Sequence, residues 1–186
     1  IQYDNAFRMC FSDPDQGKAS ADYISENGIA TKIAVIYNSS DTYSTGIRQK
    51  FEEEAESLGL DIVASEAFTA DSKTDFSVQI QKAKDAGAEL VFLPIYYQEA
   101  SLILAQANNA GFDPIWFGVD GMDGILNLDG FDASLAEGLM FLTPFTADSE
   151  DEKTQTFVAD YEAAFGDTPI QFAADAYDCL YVMKEA

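Results

Sequence analysis

The chain has 186 residues, of which 47 % are apolar and 23 % charged, a globular rather than a disordered composition. Ten basic residues stand against 33 acidic ones, a formal net charge of −23, and a field of that sign repels nucleic acid and anionic membrane surfaces, so neither is expected as a partner. Histidine is absent, which removes histidine general bases, Ser-His and Cys-His dyads and histidine metal ligands together.

The chain opens on "IQYDNAFRMCFSD" with no initial methionine or signal peptide, and it reads as a processed or excised piece of a longer protein. At "SDPDQG" a helix is expected to start, with Asp13 as its cap, Pro14 at the first helical position and Gln16 reaching back to the cap. Five β-rich runs follow: "KIAVIY" (Lys32–Tyr37), "LDIVASE" (Leu60–Glu66), "LVFLPI" (Leu90–Ile95), "IWFG" (Ile115–Gly118) and "LMFLT" (Leu139–Thr143). Most are nearly continuous in apolar residues, as strands buried on both faces are.

Helical patterns separate them. Ile47, Phe51, Ala55 and Leu58 share one face before Gly59; Phe76, Ile80 and Ala83 do so before Gly87; Ile103, Leu104, Ala107 and Ala110 form a third stripe closed by Gly111. The alternation is βαβαβα, so the expected fold is α/β, a doubly wound parallel sheet with helices on both faces. Downstream, Ser149 and Glu152 are spaced as a capping box ahead of Phe157, Tyr161 and Phe165, and "FAADAYDCLYVMKEA" is a last amphipathic run. No apolar run approaches the ~20 residues of a membrane helix.

Catalytic signatures are missing. No GxGxxG follows a strand, "GKAS" lacks the upstream glycine of a phosphate-binding loop, and no GxSxG elbow is present. "DGMDGILNLDGFD" fails the calcium-loop spacing and reads as polar turns between strand and helix, while Cys10 and Cys179 read as free thiols. No metal, no cofactor and no enzymatic activity are expected.

In open parallel sheets ligands bind beyond the carboxyl ends of the strands. Three such corners are "NSSDTYSTG", "YYQEAS" and "VDGMDG", and together they offer Tyr43, Tyr96 and Asp120. Two phenols and one carboxylate suit a small ligand with an apolar body and an ammonium group. Tyr97 is read instead as packing or solvent-facing.

In this order and spacing the motifs resemble the type I periplasmic substrate-binding proteins, in particular the branched-chain amino acid (Leu/Ile/Val) branch that serves ABC transporters. The resemblance is carried by "FRMCFSDPDQGKASADYI", similar to the family's D-x-x-Q-G-x-x-x-A-x-Y helix, by "KIAVIYNSSDTYSTGIRQKFEEEAESLG", by "DFSVQIQKAKDAGAELVFLPIYYQEASLILAQANNAGF", and by "GVDGMDG" and "AEGLMFLTPF". Ser44 departs from the pattern, standing where the family has glycine after the tyrosine.

The resemblance implies two α/β lobes that close on a ligand. It implies that residues 14–145 form the ligand-binding lobe 2, that residues 1–13 are the crossing hinge segment of lobe 1, and that residues 146–186 return to lobe 1 as helices. It assigns Tyr43 and Tyr96 as walls of the ligand, Asp120 as the acceptor of its ammonium, and Phe172 as an aromatic closing on its side chain. It implies an amino acid ligand, an ABC transporter permease as partner, and an extracytoplasmic home, periplasmic or as a cell-surface lipoprotein, without direct membrane insertion. A ligand-sensing receptor or regulator domain of the same fold is the alternative. Detached from a lobe 1 sheet, the last helices would carry exposed apolar faces bearing Phe157, Tyr161 and Leu180.

Overall fold

The computed structural model describes residues 4–186, so the first three residues of the expected crossing segment lie outside the described residues. The chain divides into two compact units, one running from Ser12 to Leu142 and the other gathering the described residues up to Phe11 with Thr143–Ala186.

The larger unit is built on a parallel sheet of β1 (Lys32–Asn38), β2 (Asp61–Phe68), β3 (Leu90–Leu93), β4 (Ile115–Gly118) and β5 (Met140–Phe141), in the order β2-β1-β3-β4-β5. Its helices are α1 (Asp13–Glu26), α2 (Thr42–Leu58), α3 (Ser77–Asp85) and α4 (Tyr97–Asn109). Adjacent residues of a strand face opposite sides of the sheet. Ile33, Val35, Leu90, Phe92 and Phe117 therefore meet Ala21, Ile24, Ile47, Phe51 and Ala55 of α1 and α2. Ala34, Ile36, Val91, Leu93 and Trp116 meet Ile80, Ala83, Ile103, Leu104 and Ala107 of α3 and α4. The doubly wound α/β class read from the alternation is the one observed.

Register ties the layers together. Val35 lies beside Phe92 and Phe92 beside Phe117, and the Phe92 ring stacks on Phe51 of α2 at 3.9 Å between centroids. Each such buried ring contributes about 1.5–3 kcal/mol relative to exposure. On the first face α1 lies so close to α2 that a Cβ on Gly17 would overlap the Ile47 carbonyl oxygen and approach the Phe51 nitrogen to 2.8 Å. Only glycine permits that approach. The α2 stripe ends where the sequence places it, at Gly59 with φ 75°.

Three local expectations are corrected. Ser12, not Asp13, occupies the cap position of α1, and the Gln16 side chain does not return to the cap but crosses to the end of β4. The capping box at Ser149 is replaced by Asp151, whose carboxylate accepts from the Thr154 amide at 3.0 Å, because a carboxylate placed next to the helix reaches the orphan amide directly. The segment after β4 forms short 3₁₀ turns, Asp120–Met122, Ile125–Asn127 and Ala133–Ala136, in keeping with the polar turns read from its sequence. Glycines at 121, 124 and 130 break it into pieces too short for α-helical pairing.

The smaller unit holds α5 (Glu152–Phe165) and α6 (Gln171–Glu185). Phe157 is buried, contrary to its expected exposure, because Phe145, Tyr161 and Tyr177 pack around its ring. Leu180 is 65 % exposed, as the amphipathic pattern implies.

Candidate functional site

With the order β2-β1-β3-β4-β5, the connections after β1 and after β3 leave in opposite directions across the sheet, and a crevice opens between those strand ends. Both tyrosines enter this crevice. Asp41 caps α2, accepting the Tyr43 amide at 3.0 Å, and so fixes Tyr43 in the helix's first turn directly after β1. Tyr96 takes the cap position of α4 with extended backbone, directly after β3. Their rings stack at 4.8 Å between centroids and 19° between planes.

Asp120 arrives from the third corner. Val119 is extended and the chain then turns through Asp120–Met122, which leaves Asp120 only 7 % exposed. The Tyr43 hydroxyl donates to that carboxylate and accepts the Gly121 amide at 2.9 Å. One phenol thus orients both the acid and the backbone beside it. Gly121 is required for this geometry: a Cβ there would sit 2.7 Å from the Tyr43 hydroxyl, 2.9 Å from the Ile95 carbonyl oxygen and 3.1 Å from the Tyr96 ring. Behind the acid, Gln16 Oε1 accepts the Asp120 amide at 3.0 Å.

Charge at the crevice is negative. Burial, followed by the charge of Asp120 and its hydrogen bond, pushes the Tyr43 phenol far above the ordinary tyrosine range, so it stays protonated and a donor. Burial raises the Tyr96 phenol too, reinforced by the charges of Asp41, Asp120 and Asp13. Beside Tyr96 lies a cavity of 320 Å³ lined by Asn38, Asp41, Ser44, Lys73 and Glu99, in which Lys73 is held to Glu99 at 3.0 Å. Ser44, the departure from the family pattern, is fully buried, and its hydroxyl accepts the Asn38 amide at 2.9 Å, closing the end of β1.

The structure brings Tyr43, Tyr96 and Asp120 together, whereas Phe172 belongs to the smaller unit, on α6, and is 42 % exposed there. Tyr97 is half-buried against the core on the α4 face. Sequence reasoning missed Gln16, Gly121 and Asp41. A signal for Gln16 existed: Gln16, Ser20, Ala21 and Ile24 fall on one buried face of α1, where an unbranched amide is out of place unless it has a partner across the core. The described residues contain no group of three or more metal-ligating side chains, and no described helix is long and apolar enough to cross a membrane.

The sequence profile of a family described as periplasmic binding protein matches residues 1–186. The leucine-, isoleucine-, valine-, threonine- and alanine-binding protein of Pseudomonas aeruginosa is 28 % identical over 183 residues, 98 % of this chain and 48 % of its own. A Leu/Ile/Val-binding protein homolog of Brucella melitensis is 33 % identical over 119 residues, 64 % of this chain and 32 % of its own. Among solved structures, the branched-chain amino acid transporter substrate-binding protein LivJ of Streptococcus pneumoniae, in complex with isoleucine, superposes with a TM-score of 0.86 at 32 % identity, covering 95 % of this chain and 50 % of that one. The chain spans about half the length of the Pseudomonas and Streptococcus relatives, and its match covers about a third of the Brucella one; all three are named as binding proteins.

Proposed function

This chain belongs to the periplasmic binding protein family, and we infer from that membership and from the crevice that the complete protein captures an α-amino acid for an ABC importer. The observation that carries the reading is Asp120, an almost fully buried carboxylate oriented by Tyr43 and flanked by two stacked phenols at the sheet's switch point. A ligand ammonium that reaches the acid gains a charge-assisted hydrogen bond of about 1.5–3 kcal/mol. The exposed edge of Tyr96 offers apolar area to an aliphatic side chain.

The relatives' names point to leucine, isoleucine and valine as the first ligands to test. Residues 14–145 act as lobe 2, with 1–13 and 146–186 as parts of the hinge and lobe 1, and Phe172 closes on the ligand side chain when the lobes come together. The protein works outside the cytoplasmic membrane, periplasmic or anchored as a lipoprotein, and hands its ligand to a permease by recognition and release without covalent chemistry.

Titration calorimetry of the complete native chain against aliphatic, polar, acidic and basic amino acids tests this. An aliphatic α-amino acid is expected to bind most tightly, and absence of heat with every amino acid overturns the reading.

A further inference from the structure

A carboxylate selects a cation only if the backbone beneath it stays in place. The Asp120 side chain is held from above by Tyr43, but its main chain sits in a 3₁₀ turn of three residues, a weak element by itself. Tyr43 also accepts the neighbouring Gly121 amide, but the acceptor of the Asp120 amide itself lies 104 positions earlier in the sequence. Gln16 is 2 % exposed, and its Oε1 accepts the Asp120 amide at 3.0 Å. An N–H can bond only the oxygen of a carboxamide, so the amide's orientation is fixed by its donor. The other half of the amide, Nε2, is buried and donates to no protein group. The fold therefore uses Gln16 for its acceptor oxygen alone.

Gln16 is itself well anchored. The next residue, Gly17, lets α1 press onto the backbone of α2 at Ile47 and Phe51, and Tyr43 rises from the first turn of that same α2. One helix contact thus sets both hands that grip Asp120: Gln16 on the backbone and Tyr43 on the carboxylate.

We propose that Gln16 is a positioning residue of the site, its side-chain oxygen fixing the Asp120 backbone so that the carboxylate is presented to the ligand ammonium. This rests on the reading of Asp120 as the ammonium acceptor, and the following experiment separates the two.

In the complete native chain, Gln16→Met keeps the length and apolar stem of the side chain but removes the acceptor, while Gln16→Glu keeps an oxygen at the acceptor position. Two quantities are measured: hydrogen exchange of the Asp120 amide by NMR, and the Kd for L-isoleucine. The expected result is that Gln16→Met speeds exchange at Asp120 and weakens L-isoleucine by about tenfold, the factor of one lost buried hydrogen bond, whereas Gln16→Glu stays within about threefold on both. Equal exchange in the wild type and Gln16→Met overturns the proposal. So does a faster amide with an unchanged Kd, and so does an equal loss in both variants, which would be a packing effect. Should Gln16→Met fail to fold, an unprotected Asp120 amide in the wild type, or a loss of affinity in Gln16→Glu, overturns it. If the wild type gives no heat with any amino acid, the ligand reading fails on its own, and the exchange comparison still decides whether Gln16 holds Asp120.

Discussion

Replacing Tyr43 with phenylalanine removes one oxygen and leaves the ring stacked on Tyr96. That oxygen makes two hydrogen bonds, one donated to the buried Asp120 carboxylate and one accepted from the Gly121 amide. A bond to a charged group contributes about 1.5–3 kcal/mol and a neutral one about 0.5–1.5 kcal/mol, so Tyr43→Phe is expected to destabilise the chain by about 2–4 kcal/mol at neutral pH. The phenol's pKa is raised on folding, so its contribution is fully present below the unfolded value of about 10 and is lost as pH rises above it, when the unfolded chain ionises Tyr43 and the folded chain does not. Above pH ~10 the gap between wild type and variant therefore narrows by about 1.4 kcal/mol per pH unit, the other tyrosines cancelling in the difference. Urea unfolding followed by the fluorescence of Trp116, the single tryptophan of the 186 residues and a buried residue of β4, reads both quantities at pH 7 to 11. A gap below about 0.5 kcal/mol at pH 7, or one that stays constant between pH 9 and 11, refutes the hydrogen-bonded, proton-retaining phenol.

Two further outcomes follow from the same geometry. Gly121→Ala pushes a methyl group against the Ile95 carbonyl and the Tyr43 hydroxyl, so it is expected to cost about 1–3 kcal/mol in urea unfolding and to weaken ligand binding, while Gly46→Ala, inside α2 with open space around its Cβ position, is expected to raise stability by about 0.5–1 kcal/mol and leave binding unchanged. With 33 acidic residues against ten basic ones, self-repulsion opposes the compact state, and raising NaCl from about 0.05 to 0.5 M is expected to raise the urea midpoint; a midpoint that falls contradicts this.

The sheet was legible because most strands are nearly continuous apolar runs and the helices between them carry apolar stripes, so Ile33 to Ile36 and Ile47 to Ala55 announce their faces without help from the rest of the chain. Tyr43 and Asp120 were legible for a related reason: they stand at strand ends, where a parallel sheet gathers its ligand groups. The cap assignments failed because several polar residues compete within one turn, and the winner depends on fractions of an ångström that composition does not encode. Gln16 was misassigned for a different reason. Its partner is Asp120, and a hydrogen bond spanning 104 residues leaves no local trace beyond a polar residue on a buried face. Gly121 carries the same lesson, since its need for glycine comes from Tyr43, Ile95 and Tyr96 rather than from its own turn.

The central claim, that Asp120 recognises an ammonium, is tested most directly by titrating the complete protein and its Asp120→Asn variant with L-isoleucine and with the corresponding 2-oxo acid, which lacks the amino group. The account predicts that the wild type binds the amino acid and that Asn weakens it by about tenfold or more, a loss of at least ~1.4 kcal/mol, while the oxo acid binds feebly to both and does not distinguish them. Equal affinity of wild type and variant for L-isoleucine, or a wild type that binds the oxo acid as tightly as the amino acid, would contradict it.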